Sequence, residues 1–327
     1  MHIAIIGAAG MIGRKLGQAL AAAGQLGGRP IERFTLADVL APAAPPGAEA
    51  ASTLLAADLS APGQAERLVA QRPDVIFHLA AIVSGEAEDD FEKGYRINLD
   101  GTRLLFEAIR AESGRSGYRP RVVFTSSIAV YGAPLPMPIP DDFLHTPLTS
   151  YGTQKAICEL LLSDYSRRGF FDGIGIRLPT ICVRPGKPNK AASGFFSSIV
   201  REPLIGQEAV LPVPEDVRHW HASPRSAVGF LLHAATLDLA RVGPRRNLSM
   251  PGVSATVGEQ IQALRRHAGE QAVRLIRREP DPRITEIVRS WAPGFAATRA
   301  RELGFVAEQD FDEIIRVHVQ DELGGSL

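Results

Sequence analysis

The first thirteen residues constrain this chain most. His2 to Ile6 is a short apolar run rich in isoleucine; Gly7, Ala8, Ala9, Gly10, Met11, Ile12 and Gly13 follow at once, and a helical pattern continues through Ala23. Strand, glycine turn, helix is the context a phosphate loop needs. Gly7 permits the tight turn, Gly10 lets backbone approach a pyrophosphate, and Gly13 lets the helix pack close to the sheet. The helix start, over Met11 and Ile12, offers unpaired N–H groups to the anion. A tight strand-to-helix turn with nothing bound uses the same glycines, so the loop needs company before it means a nucleotide.

That company arrives in chain order. Arg33 to Asp38 reads as a second strand, and an acid at its end can accept hydrogen bonds from the two hydroxyls of an adenosine ribose while repelling a 2′-phosphate; Asp38 therefore argues for NAD over NADP. The alternative is an aspartate that caps a turn. Ser52 to Ala57 reads as a third strand, with Asp58 and Leu59 after it in reach of an adenine ring. Pro73 to Ala81 is a buried strand running into Leu79, Ala80 and Ala81, small enough at its end to lie against a cofactor. His78 inside it reads as a core histidine rather than a catalyst. The next loop, Ile82 to Glu86, carries Ser84 toward the substrate space, and an amphipathic pattern from Asp89 to Glu112 predicts a long helix. Asn98 on that helix either hydrogen-bonds backbone near the site or faces solvent.

Arg121 to Thr125 is a further strand, delivering Ser126 and Ser127 at its carboxyl end, where a doubly wound sheet has its ligand crevice. A proline-dense stretch from Gly132 to Pro147 precedes a helix from Ser150 to about Arg167. Tyr151 and Lys155 lie four apart on it, one turn or roughly 6 Å along the axis, on the same face. A phenol ionises near 10 in water, a fixed cation beside it favours the phenolate and a bound oxidised nicotinamide would add to that field, so a base able to take a hydroxyl proton near neutral pH is expected. Such a pair also occurs by chance on many helices; Ser127, able to hold the same substrate oxygen and stabilise developing charge, is what makes it suggestive. Ser126 has the plainer alternative of ending the strand. Gly173 to Leu178 is a sixth strand, with Pro179 and Thr180 placed for a nicotinamide carboxamide.

Beyond Arg184 the βα rhythm fades into short elements rich in Pro and Gly. The expected architecture is α/β, a Rossmann-type doubly wound parallel sheet over 1–183 with a smaller mixed α/β C-terminal substrate lobe over 184–327 that makes short returns to the first domain. With 327 residues the chain suits one large domain or a domain and a half. Lys plus Arg equals Asp plus Glu at 36 each, so no overall field recruits nucleic acid or an anionic membrane. No run of eighteen apolar residues occurs, the apolar start lacks a basic leader, and Cys158 and Cys182 have no metal-ligand spacing; a cytoplasmic protein without a metal is expected.

Taken together, the glycine loop, Asp38, His78-Leu79-Ala80-Ala81, Ser126-Ser127 with Val130-Tyr131-Gly132, and Tyr151 with Lys155 resemble the extended short-chain dehydrogenase/reductase family, which includes sugar-nucleotide epimerases and dehydratases. The resemblance in order and spacing covers roughly the first 180 residues. It implies Tyr151 as proton acceptor, Lys155 holding the nicotinamide ribose hydroxyls, Ser127 binding the reacting oxygen and Ser126 beside cofactor and substrate. The strings from Ile82 to Glu88, Pro147 to Ala156 and Arg177 to Asn189 are similar, more narrowly, to bacterial dehydrogenases that act on the four-carbon sugar acid D-erythronate. That likeness implies NAD-dependent oxidation of its C2 hydroxyl to 2-oxo-tetronate. A carboxylate substrate needs a cation, because burying it unpaired is costly. Arg184, Lys187, Arg218 and Arg225, with His219 or His221 if protonated, are the candidates, and each reads equally as a solvated surface charge. The rival readings are a sugar-nucleotide epimerase that keeps its cofactor and a dinucleotide-sensing protein without catalysis. Related proteins pair the helices matching 88–112 and 151–168, so a homodimer is expected.

Overall fold

The opening run forms β1 (His2–Ile6), buried along its whole length. A continuous apolar run behaves this way in a parallel sheet covered on both faces. The structure, a computed structural model, describes residues 1–186 and 192–325. Around β1 lie β2 (Arg33–Asp38), β3 (Ser52–Ala56), β4 (Val75–His78), β5 (Arg121–Ser127), β6 (Asp172–Leu178) and β7 (Asn247–Ser249), in the order β7-β6-β5-β4-β1-β2-β3. β1 pairs in parallel with both β2 and β4, β2 with β3, and β4 with β5. The order reverses between β1 and β4, and open sheets of this kind bind ligands beyond the carboxyl ends of the strands at that point. The Rossmann-type doubly wound sheet is therefore present as expected, with a seventh strand that the sequence did not suggest.

Three helices matter most for the site: α1 (Met11–Ala23), α2 (Gly101–Ser116) and α3 (Ser150–Arg167). Phe106 and Ile109 of α2 and Cys158 and Leu162 of α3 pack with Ile6, Ile76, Val122 and Phe124 of the sheet in one buried cluster. Burying each of the larger side chains is worth on the order of 2 kcal/mol, which is what holds α3 in place. The expected helix over 89–112 is different in detail. Short helical turns at Ser84–Asp89 and Phe91–Gly94 lead into a π-helical turn, Tyr95–Asp100, and then into α2, so the expected loop at Ile82 to Glu86 is helical from Ser84.

The chain divides into two compact units: 1–127 with 149–177 and 228–248, and 128–148 with 178–227 and 249–327. The sequence put the boundary at 183/184, whereas the chain leaves the first unit after Arg177, and the proline-dense stretch before α3 belongs to the second. The second unit has a three-stranded sheet, ordered Val253–Thr256, Arg218–Ala222, Thr180–Ile181, and a parallel pair, Ala209–Leu211 with Ile276–Arg278. The helices Gly194–Leu204, Val257–Val273 and Phe311–Glu322 enclose its core of Phe196, Ile199, Ile261, Leu264, Phe311 and Ile315. Thr256 opens the second of these with a capping box to Glu259, which satisfies two end N–H groups at once. Among the described residues no helix is long and apolar enough to cross a membrane.

Candidate active site

The glycine loop is shaped by three different demands. Gly7 has φ 91°, and a Cβ there would sit 2.7 Å from the Ala80 nitrogen. Gly13 would bring a Cβ to 2.2 Å from the Gly7 carbonyl oxygen. The fold itself requires both. Gly10 is different: it is exposed, has ordinary extended angles (φ −68°, ψ 163°) as the residue before α1, and a Cβ there would meet only the Gly7 oxygen, at 3.3 Å. That contact is tight but is relieved by a shift of a few tenths of an ångström, so the fold needs glycine less here than at Gly7 and Gly13; a pyrophosphate lying against the loop would need it, and this is the structure's own sign that a dinucleotide fits.

Asp38 stands at the end of β2, where the sequence put it, but its carboxylate is already engaged. One oxygen accepts from the Ala9 N–H at 2.9 Å and the other from the Leu40 N–H at 3.3 Å. The turn-capping alternative is thus real, and it couples Asp38 to the glycine loop; a carboxylate has further lone pairs for ribose hydroxyls. Asp58 accepts from the backbone and hydroxyl of Ser60 and pairs with Arg96 at 2.9 Å; these bonds hold its carboxyl below the usual range against the opposing effect of partial burial. Leu59 after it is buried.

α3 meets the end of β5 and carries Tyr151 and Lys155. Thr149 caps α3 by accepting from the Gly152 N–H at 3.1 Å, and Glu88 accepts from the Ser150 N–H at 2.9 Å, so Tyr151 stands in a well-anchored first turn. Ser127 hydrogen-bonds the half-buried Tyr151 phenol, and the Lys155 Nζ lies 5.7 Å from the centre of the same ring. That ammonium is buried, donates to the Thr125 carbonyl at 2.8 Å and stands 4.7 Å from the centre of the Phe124 ring. Burial lowers the Lys155 pKa to about 8, and Cys158 and Glu159 act against that.

The cation alone does not bring the phenol down. Burial pushes the Tyr151 phenol up to about 12, and the hydrogen bond from Ser127 offsets only part of the rise. Without a ligand the phenol is protonated at neutral pH.

The remaining expected residues in the first unit serve mainly as supports. Asn98, in the π-helical turn, accepts from the Ile82 N–H at 2.9 Å, donates to the Ile82 carbonyl at 3.3 Å and donates to Gln154 of α3 at 2.8 Å. It pins the chain just beyond Leu79, Ala80 and Ala81 to α3, the backbone-bonding role of its two alternatives. His78 is a core histidine: its Nε2 pairs with the Thr102 hydroxyl at 2.9 Å, and burial, helped by Lys155, drops its pKa to about 3. Ser126 does not stand beside Ser127 as a second free hydroxyl. It donates to Glu159 at 2.5 Å, and Glu159 is paired with Arg177. Glu159 and Arg177 were missed in the sequence, although Glu159 follows Tyr151 and Lys155 at the same four-residue step.

Pro179, Thr180, Arg184 and Arg225 belong to the second unit. Pro179 is buried, and the Thr180 hydroxyl bonds the His219 Nε2 at 2.7 Å. Arg225 is exposed and committed to Asp321 at 2.5 Å, and Arg218 pairs with Glu259 at 3.2 Å. His219 and His221 are held neutral by burial. Arg184 donates to the Ser193 hydroxyl at 2.9 Å, and among the described residues no carboxylate pairs with it; burial lowers its pKa. Lys187 lies outside the described residues.

Comparison with known proteins shows the family. The profile of the NAD dependent epimerase/dehydratase family matches residues 3–221. The chain is 46% identical over 325 residues to D-erythronate dehydrogenase of Cupriavidus necator, covering 98% of each chain. It is 40% identical to D-erythronate dehydrogenase of Haemophilus influenzae, over 99% of this chain and 100% of that one. The crystal structure of a protein named as the nucleoside-diphosphate-sugar epimerase from Agrobacterium tumefaciens superimposes with a TM-score of 0.98 at 76% identity, covering 100% of this chain and 95% of the other.

Proposed function

The chain belongs to the NAD dependent epimerase/dehydratase family, and from that premise we propose that it oxidises the C2 hydroxyl of D-erythronate to 2-oxo-tetronate with NAD as acceptor. The chemistry is carried by one observation: a Ser127 hydrogen bond to a tyrosine whose helix brings a lysine one turn later. The choice of substrate leans on the two relatives named for it.

When bound, oxidised NAD would supply the hydride acceptor and a positive ring beside the phenol. Tyr151 takes the hydroxyl proton, and Ser127 holds the same oxygen and stabilises charge that develops there. Lys155 binds the nicotinamide ribose and adds positive charge, which favours the phenolate against the effect of burial. Gly7, Gly10, Met11, Ile12 and Gly13 hold the pyrophosphate; Asp38 takes the adenosine ribose, which selects NAD over NADP. Asp58 and Leu59 flank the adenine, Leu79, Ala80 and Ala81 line the path to the nicotinamide, and Pro179 and Thr180 take its carboxamide. Ser84 completes the substrate side, whereas the Ser126 hydroxyl is already given to Glu159. For the substrate carboxylate Arg184 is favoured over Arg225 and Arg218, because those two already have carboxylate partners.

A panel of four- to six-carbon sugar acids and several nucleotide sugars, assayed with NAD and NADP, tests this reading. Net NADH release with D-erythronate is expected, and Tyr151→Phe should lower kcat by about 100-fold or more while NADH still binds. Near wild-type turnover in that variant would sink the assignment. The second reading, a sugar-nucleotide epimerase, is favoured by the name that the 76% identical Agrobacterium tumefaciens protein carries. Turnover of a nucleotide sugar without net NADH would establish it. A cofactor sensor would have no use for Ser127, Tyr151 and Lys155 together.

We further propose a homodimer in the cytoplasm. Phe91, 58% exposed, and Leu160, 65% exposed, are large apolar side chains left open near and on the helices expected to pair. Light scattering should return twice the chain mass; a monomer at micromolar concentration would exclude it.

A further inference from the structure

An ion pair buried beside the reacting groups has no part in the chemistry proposed above. Glu159 is 0% exposed and Arg177 7%. The Arg177 Nε donates to the two Glu159 oxygens at 2.9 and 3.1 Å, and its Nη2 donates at 2.7 Å. The Ser126 hydroxyl donates to the same carboxylate at 2.5 Å. Stripping water from both charges is costly, and apolar side chains of similar size commonly stabilise a core as well or better, so stability alone is a poor reason for such a pair.

Its position suggests another reason. Tyr151, Lys155 and Glu159 stand at successive four-residue steps on α3 and so share one face. All three engage the carboxyl end of β5: Tyr151 through the Ser127 side chain, Lys155 through the Thr125 carbonyl, and Glu159 through the Ser126 hydroxyl. Arg177 stands on β6, the neighbour of β5 in the sheet. One carboxylate therefore ties two strands to the helix, in directions that charge-assisted hydrogen bonds fix and apolar contacts do not.

We propose that Glu159 and Arg177 are positioning residues, a clamp that holds the end of β5 against α3 so that Ser127 and the Tyr151 hydroxyl keep the hydrogen bond that turnover requires. The proposal rests on the roles given above to Ser127 and Tyr151. A small displacement of an aligned group is enough to matter, since about 1 Å can cost about 100-fold in rate.

The test compares the wild-type chain with Glu159→Leu/Arg177→Met and with Ser126→Ala. Melting temperature, NADH affinity, kcat, KM and the pH profile are measured on whichever of D-erythronate or a nucleotide sugar the wild type turns over. In the double variant, near wild-type melting and NADH affinity are expected, with kcat down about 30-fold or more, KM changed by less than about threefold, and the rising limb of the pH profile moved to higher pH. Ser126→Ala should show the same pattern more weakly. A double variant that melts, turns over and titrates like the wild type would overturn the clamp. If it fails to fold, Ser126→Ala decides: an unchanged kcat and pH limb overturns the clamp.

A wild type that oxidises no sugar acid but turns over a nucleotide sugar removes the proposed substrate and leaves the clamp to be judged on that substrate. Should neither turn over, carbon-13 labelling at the tyrosine Cζ reads the Tyr151 phenol directly, its resonance assigned against Tyr151→Phe. A shifted resonance in the variants supports the clamp, and an unmoved one overturns it.

Discussion

Tyr151 and Lys155 share a helix face, but in this structure their cation and phenol do not satisfy one another. The ammonium turns to the Thr125 carbonyl, and the phenol is left to burial, which raises it to about 12, and to Ser127, which lowers it. Four-residue spacing fixes which face two side chains share, not where a long flexible one ends. Ser127 therefore acts on the phenol electrostatically, apart from the substrate role proposed for it. Replacing it with alanine removes a bond that favours the phenolate, so the tyrosine's pKa goes up. In Ser127→Ala the rising limb of kcat against pH should shift to higher pH, with kcat at neutral pH about 100-fold down. An unmoved limb would mean that the hydroxyl acts on the substrate alone.

At the level of the element, the glycine loop separates what the fold needs from what a ligand needs. Gly13→Ala forces a Cβ against the Gly7 carbonyl at 2.2 Å and should destabilise the chain by about 2 kcal/mol, as overpacking of a tight contact does. Gly10→Ala meets no such contact below 3.3 Å and should change stability by less than about 1 kcal/mol. Its effect should fall on the dinucleotide instead: about tenfold or more weaker NADH binding, read by fluorescence titration beside thermal melts of both variants. Equal NADH affinity in Gly10→Ala and wild type would remove the argument that the loop cradles a pyrophosphate. The π-helical turn works at the same scale, since it carries the buried Asn98 that joins Ile82 to Gln154.

For the whole molecule, the buried histidines set the response to acid. His78 and His219 have pKa values lowered to about 3, and His221 is lowered as well, each first by burial. In the unfolded chain they titrate near 6.5. Below that pH the unfolded state takes up protons that the native state refuses, so the stability due to their burial is complete above about pH 6.5 and is lost as pH falls from there toward 3. The slope is about 1 kcal/mol per pH unit for each histidine held neutral. The melting temperature should be level between pH 7 and 8 and fall steeply between pH 6 and 4, less steeply in His78→Gln. A level melting curve down to pH 4 would contradict the neutral histidines.

Much of this was legible in the chain itself, because local periodicity and glycine spacing are read within a few residues. The limits of β2, the start of α3 and the loop from Gly7 to Gly13 needed only neighbours, and so did the one-face relation of Tyr151 and Lys155. The partners of those residues were not legible. That Ser126 serves Glu159 rather than the open site, that Asp38 holds the Ala9 N–H, and that Arg184 lacks, among the described residues, the carboxylate that Arg225 and Arg218 have, all depend on residues far apart in sequence. Short returns to the first unit were expected, but that 228–248 makes one was not. Spacing along one chain determines which groups share an element, but a charge or hydroxyl is committed by whatever packing brings within about 3 Å of it, and that is decided only when the elements meet.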